Sequence, residues 1–198
     1  MRSIHTGRGE QTVAGPRDAA EGMHMSSHRE RWKARICAEV DALHQDLIGV
    51  SHAIHADPEV AFQEYRASKR LADELKLAGF AVERGVGGLP TAFRAELQGD
   101  QPGATIAILA EYDALPDVGH GCGHNIIATS ALGAGLALAR AAEGFAGRVL
   151  VIGTPAEEGG GGKIILAEAG VFGDVDAAMM LHPSTRSIVL RARWPVAA

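Results

Sequence analysis

From Ser27 to Ala56 the apolar residues Trp32, Ile36, Val40, Leu43, Leu47, Val50 and Ile54 recur at steps of three and four. That spacing lines one face of a long helix. Asp57-Pro58 ends it, because a residue before proline avoids the α region. Leu71, Leu75 and Ala78 mark one face of a second helix, about Tyr65 to Leu77, which Gly79 stops. The period then changes. Phe80 to Arg84 and Thr91 to Leu97 alternate as strands do, with the second half exposed. Thr105 to Tyr112 and Arg148 to Gly153 are nearly continuous apolar runs, the pattern of strands covered on both faces. Between them, Asn125 to Ala142 is rich in Ala and Gly and reads as a buried helix. A shorter helix is predicted from about Lys163 to Glu168, then strands at Ala177 to His182 and Ser187 to Arg191.

Strands separated by helical segments require crossover connections. The fold class predicted is therefore α/β: a mixed, largely parallel sheet with flanking helices. In such sheets ligands sit beyond the carboxyl ends of the strands. The polar clusters fall there: Glu111-Tyr-Asp113 after one apolar run, Glu157-Glu158 after the next, His182 after the third.

Composition narrows the field. The chain has 198 residues, 46% hydrophobic and 22% charged, with 19 Lys plus Arg against 24 Asp plus Glu, a formal charge of −5. That balance argues against a nucleic-acid or membrane surface, and an aromatic share of 5% argues against base-stacking platforms. Residues 1–26 are polar and lack both apolar periodicity and the apolar core of a signal peptide, so a disordered tail and a cytoplasmic location are expected. Met23 and Met25 are alternative starts. The two cysteines, Cys37 and Cys122, lie in different contexts and are not expected to pair.

Cys122 and His124 stand two apart in the glycine-rich run from Gly119 to Asn125. Zinc takes thiolate, imidazole and carboxylate ligands, and the intervening Gly123 lets both side chains face one ion. Read alone, the run is equally a polar loop around a small buried thiol. Two further clusters tip the balance to metal. Pro155 ends a strand, and the four glycines after Glu158 allow the backbone to turn Glu157 and Glu158 toward one centre. One carboxylate can then bind metal while the other acts as general base. His182, at the end of an apolar strand, is a third candidate donor. Asp113 is placed to orient a ligand imidazole, with Glu111 supporting the same network. His52 and His55 are assigned to structure at a helix end.

Four ordered motifs carry a resemblance: Glu111-Tyr-Asp-Ala-Leu-Pro116, the Gly119 to Asn125 run, Gly153-Thr-Pro-Ala-Glu-Glu158 and Leu181-His-Pro183. Together with His55-Ala-Asp-Pro-Glu59, they make residues 29–189 resemble the aminoacylase and carboxypeptidase family of co-catalytic zinc metallopeptidases. Within it, the chain is similar to the amidohydrolase branch, in its p-aminobenzoyl-glutamate hydrolase and β-alanyl dipeptidase subgroup. The resemblance implies Cys122, His124, Glu158 and His182 as metal ligands, Glu157 as general base and Asp113 as the supporting carboxylate. It implies two Zn2+ ions per complete site, with Mn2+ as the alternative, and hydrolysis of a dipeptide, an N-acyl amino acid or an aminobenzoyl-glutamate-type amide. Full-length relatives are implied to be homodimers.

Arg191 to Ala198 no longer resembles the family. Residues 27–198 are therefore expected to be the N-terminal portion of a catalytic domain, truncated before the lid or dimerisation domain and before one last histidine ligand. Three states follow as expectations: a weakened enzyme, a metal-binding fragment completed by a partner chain, or an inactive product.

Overall fold

The computed structural model describes residues 16–141 and 144–191, with side chains from residue 28 onward. The first helical segment divides at Leu43 into α1 (Pro16–Ala42) and α2 (His44–Ala56). Backbone hydrogen bonds run through the joint, from Leu43 N to Glu39 O and from Leu47 N to Leu43 O, each 3.0 Å. The buried Leu43 side chain anchors the joint in the core. α1 starts at Pro16, well before Ser27, and proline's fixed φ suits a first helical turn. The expected N-terminal tail lies, for residues 1–15, outside the described residues.

α3 (Tyr65–Leu77) occupies the span predicted for it. Glu59 explains its start: the carboxylate accepts from the backbone N–H groups of Arg66 and Ala67 at 2.8–3.0 Å. These are donors that the first helical turn leaves without an intrahelical partner. Asp57 pairs with the Arg66 guanidinium beside them.

Five strands form one sheet in the order β1-β2-β4-β3-β5. They are β1 (Ala81–Arg84), β2 (Phe93–Gln98), β3 (Gln101–Ala110), β4 (Ala146–Gly153) and β5 (Ala177–Met179). β1 pairs antiparallel with β2, and β2 with β4. β3 runs parallel to both β4 and β5, with Ile108 opposite Val151 on one side and Met179 on the other. The sheet is thus mixed, and its parallel half is the one that carries the polar clusters.

Both faces of β3 and β4 are covered where the two strands pair. Ile108, Ala110 and Val151 pack with Leu71, Leu75, Ala128 and Leu132 under α3 and α4 (His124–Ala141). Ala107, Leu150 and Ile152 pack on the other face against Val171, Phe172 and Val175. Full burial of a side chain such as Leu75 or Leu150 contributes about 1.5–3 kcal/mol. Gly135 explains how close α4 comes to the sheet: a Cβ there would lie 2.9 Å from Val151 Cγ2 and 3.0 Å from Leu75 Cδ2.

The last expected elements are corrected. β5 is only three residues long and is exposed, and the segment from Met180 to His182 is irregular. Residues 187–191 form no strand, and Ile188, Val189 and Leu190 are exposed. Apolar composition alone suggested strands there, but no neighbouring backbone in the described chain lies beside them to pair. Among the described residues no helix is long and apolar enough to cross a membrane.

Candidate metal centre

The ends of β3 and β4 open onto the same point. Beyond β3 the chain continues extended through Glu111, Tyr112 and Asp113, all buried. The segment is held by a bridge from Ala114 to Val60, with Ala114 N donating to Glu59 O at 2.8 Å. Beyond β4, Ala156 adopts a left-handed conformation with φ 56°, and α5 (Glu157–Gly160) makes a single helical turn. The strained alanine costs on the order of 1–2 kcal/mol. It aims both carboxylates of α5 back over the sheet. α6 (Gly162–Glu168) follows, as predicted, and places Lys163 beside the end of β3.

His124 is the first residue of α4 and has no exposed surface. Its Nδ1 lies 2.9 Å from both the carboxylate and the carbonyl oxygen of Asp113. The other Asp113 oxygen accepts the Glu158 backbone N–H at 2.9 Å. One buried carboxylate therefore fixes both an imidazole and the turn that bears the acidic pair. Burial pushes the Asp113 carboxyl up, but the hydrogen bonds from His124 and from the Glu158 and Glu157 backbone outweigh it and hold the group below its ordinary value. For His124, burial pushes the imidazole down, yet Asp113 and Glu111 together raise it above its ordinary value. The imidazole is drawn toward positive charge on Nε2, whether a proton or an ion supplies it.

His124 Nε2 is buried without a hydrogen-bond partner. Around it stand Glu158 Oε1 at 3.8 Å and Glu157 Oε2 at 4.0 Å. Cys122 Sγ and His182 Nε2 lie 3.5 Å apart. Donor atoms of Cys122, His124 and His182 form one group within mutual reach, and those of His124, Glu157 and Glu158 form a second. The two groups share His124. All four expected ligands and the expected base are thus brought together, although β5 stops three residues short of His182. Gly123 makes the approach possible: its φ is 87°, and a Cβ would lie 3.0 Å from Pro183 Cγ.

The donor set fits a metal. A buried imidazole nitrogen without a partner, facing a thiol and carboxylates, is what a zinc-type site requires. The metal-free Cys122 thiol is pushed up to about 11, by burial first and then by Glu158, Glu157 and Glu111. A nearby cation is needed to make it a thiolate at neutral pH.

The remaining histidines stand apart. His120 is buried, and His55 lies near it with ring centroids 6.2 Å apart. Burial holds the His120 imidazole below its ordinary value, with His55 and His124 adding to the effect. Neither joins the donor groups.

Sequence reasoning missed Glu64. It is wholly buried, and its carboxylate accepts from Phe62 N at 3.0 Å, Ala156 N at 2.9 Å and Thr91 Oγ1 at 2.9 Å. It ties the start of α3 and Thr91, two residues before β2, to the turn that presents Glu157. At the start of a helix Glu64 reads as an ordinary exposed acid, so the sequence carries no signal for it.

An α/β scaffold with thiol, imidazole and carboxylate donors converging beyond its parallel strands defines the class of site that can hold a metal ion. Residues 107–190 match the model of Peptidase family M20/M25/M40, and that part of the chain belongs to the family. The Xaa-Arg dipeptidase of Mus musculus is 42% identical over 181 residues, covering 85% of this chain and 42% of that protein. A p-aminobenzoyl-glutamate hydrolase subunit from Escherichia coli is 37% identical, over 78% of this chain and 37% of that protein. Among solved structures, a putative aminohydrolase from methicillin-resistant Staphylococcus aureus superposes with a TM-score of 0.68 at 30% identity, covering 73% of this chain and 41% of that one. The Bacillus subtilis YXEP protein, described as a dinuclear metal binding peptidase from the M20 family, gives 0.63 at 33% identity, covering 70% and 42%. The chain spans well under half the length of each of these relatives.

Proposed function

We propose that this chain provides part of the catalytic domain of a zinc-dependent amidohydrolase acting on dipeptides or N-acyl amino acids. We place it in the cytoplasm, where Cys122 remains a thiol. The observation that carries the reading is the buried, unpartnered Nε2 of His124 at the meeting point of two donor groups. The names of the dipeptidase and p-aminobenzoyl-glutamate hydrolase relatives support an amide substrate that bears a carboxylate.

Cys122, His124, Glu158 and His182 would hold the metal. When bound, a divalent ion there polarises the scissile carbonyl and acidifies water. The chain's own residues do the rest. Asp113 accepts the Nδ1 proton of His124 and so keeps the Nε2 lone pair turned into the site. The same carboxylate holds the Glu158 backbone, which sets the direction of its side chain. Glu157 is 41% exposed, faces His124 and, among the described residues, has no hydrogen bond to its carboxylate. It takes a proton from the attacking water and passes it to the departing amine, leaving a carboxylic acid and a free amine.

The exposed apolar residues Met179, Leu181, Ile188, Val189 and Leu190 favour a second reading, in which a partner chain completes the site. Zinc content after equilibrium dialysis tests the ligand set that both readings share. It is expected to fall in Cys122→Ala, and equal content in wild type and variant would sink the assignment. Glu157→Gln is expected to bind zinc as wild type does and to abolish whatever amide hydrolysis the wild type shows. Undiminished hydrolysis would remove Glu157 as the base.

A further inference from the structure

Glu111 lies outside the ligand set assigned above, yet its carboxylate faces the centre and is buried, with 1% of its side chain exposed. Lys163 pairs with its Oε1. Its Oε2 is buried with no hydrogen-bond partner and stands 3.3 Å from His124 Nε2, the other unpartnered buried atom of the site. Since Asp113 accepts at Nδ1, a neutral His124 presents a lone pair on Nε2. Two lone pairs facing each other at that distance in a dry site repel, unless positive charge lies between them.

The separation itself identifies a suitable charge. Zinc binds nitrogen and carboxylate oxygen at about 2.0–2.2 Å, so two ligands of one tetrahedral ion sit roughly 3.3–3.5 Å apart. Cys122 Sγ and His182 Nε2, 3.5 Å apart, show the similar spacing expected of a sulfur–nitrogen pair. We propose that Glu111 is a direct metal ligand through Oε2, sharing an ion with His124, and that Lys163 is its counter-ion. Lys163 neutralises Oε1, which keeps the carboxylate single-pronged. It also offsets one unit of the negative charge that Glu111, Glu157, Glu158 and Asp113 concentrate around His124. The inference rests on the metal-dependent reading above.

The test uses the full chain, with Zn2+ affinity measured by competition against a chromophoric chelator and the Co2+ form examined by visible absorption. Glu111→Gln keeps the shape and removes the charge. It is expected to weaken Zn2+ binding by roughly 10-fold or more and to change the Co2+ ligand-field bands. Because Glu111→Gln leaves Lys163 unpaired, the double variant Glu111→Gln/Lys163→Met is measured beside it, with the same loss expected. Lys163→Met alone is expected to retain wild-type Co2+ bands. Unchanged affinity in both Gln variants would overturn the proposal, as would weakened binding with an unchanged Co2+ spectrum, since that would leave Glu111 outside the coordination sphere. Cys122→Ser separates the two readings. If it loses metal while both Gln variants do not, only the Glu111 inference fails. If the wild type binds neither ion, the metal centre fails with it.

Discussion

Replacing Glu64 tests how the fold delivers Glu157 and Glu158 to the site. The wild-type carboxylate accepts from Phe62 N and Ala156 N through one oxygen and from Thr91 Oγ1 through the other. Glu64→Leu fills similar space but leaves both backbone N–H groups without an acceptor, at about 1–3 kcal/mol each. Phe62 lies at the surface, where its N–H can recover water. With the Ala156 N–H left unpaired and the Thr91 hydrogen bond also lost, the expected loss is about 2–4 kcal/mol, a large part of a typical 5–15 kcal/mol stability. Glu64→Gln behaves differently. Its carbonyl replaces the oxygen that serves Phe62 and Ala156, and its amide donates to a Thr91 hydroxyl that rotates to accept. Burial raises the Glu64 carboxyl above its ordinary value, more than the backbone and Thr91 hydrogen bonds lower it. A carboxyl with a raised folded-state pKa favours folding below its unfolded pKa, and that contribution is lost as pH rises through the folded value. Gln has no such dependence, so its stability relative to wild type should climb from acid to neutral pH. Urea denaturation of the metal-free proteins, followed by far-ultraviolet circular dichroism at pH 4 and pH 7, measures both effects. If Gln is as damaging as Leu at pH 7, Glu64 is needed as an anion and the hydrogen-bond argument is wrong. If Leu is harmless, Glu64 does not hold the turn.

Asp113→Asn puts an amide NH2 against either His124 Nδ1 or the Glu158 backbone N–H. Zinc affinity should fall roughly 10- to 100-fold and metal-free stability by about 1.5–3 kcal/mol, read by chelator competition and urea titration; wild-type values for both would deny Asp113 its positioning role. Gly153→Ala places a Cβ 2.3 Å from Phe93 Cε1 and 2.6 Å from the Tyr112 hydroxyl. These two stacked side chains are among the largest that are fully buried. The expected cost is about 1–3 kcal/mol by thermal denaturation, and an unchanged transition would show that the end of β4 has room to relax.

Periodicity located the elements that have a covered face. α3 and α4, and the strands β3 and β4, bury one or both sides, so their sequences repeat with the geometry that buries them. The same rule misled at the C-terminal end. The runs Ala177 to His182 and Ser187 to Arg191 are apolar enough to suggest strands, but a strand is made by pairing, and the sequence of a segment does not say whether a neighbour is there. The break at Leu43 was hidden for the opposite reason: the apolar steps of three and four continue through it, and hydrogen bonding continues with them.

The candidate centre divides along similar lines. Cys122, His124, Glu157, Glu158 and His182 were legible because a thiol, imidazoles and paired carboxylates are uncommon together at strand ends. Asp113 was legible from its place beyond a buried strand. Glu64, Glu111 and Lys163 were harder to read, since acids and lysines are common at helix starts and loop mouths and are usually solvated there. What distinguishes them is tertiary: Glu64 reaches a backbone N–H 92 residues away, and Lys163 meets a carboxylate 52 residues earlier. Burying such groups is costly unless each finds a partner. Glu64 finds three donors within the protein. Glu111 finds one cation, and its second oxygen faces an imidazole nitrogen that lacks a partner as well. The contrast separates a structural carboxylate, satisfied by the fold alone, from one whose remaining valence is directed at a ligand.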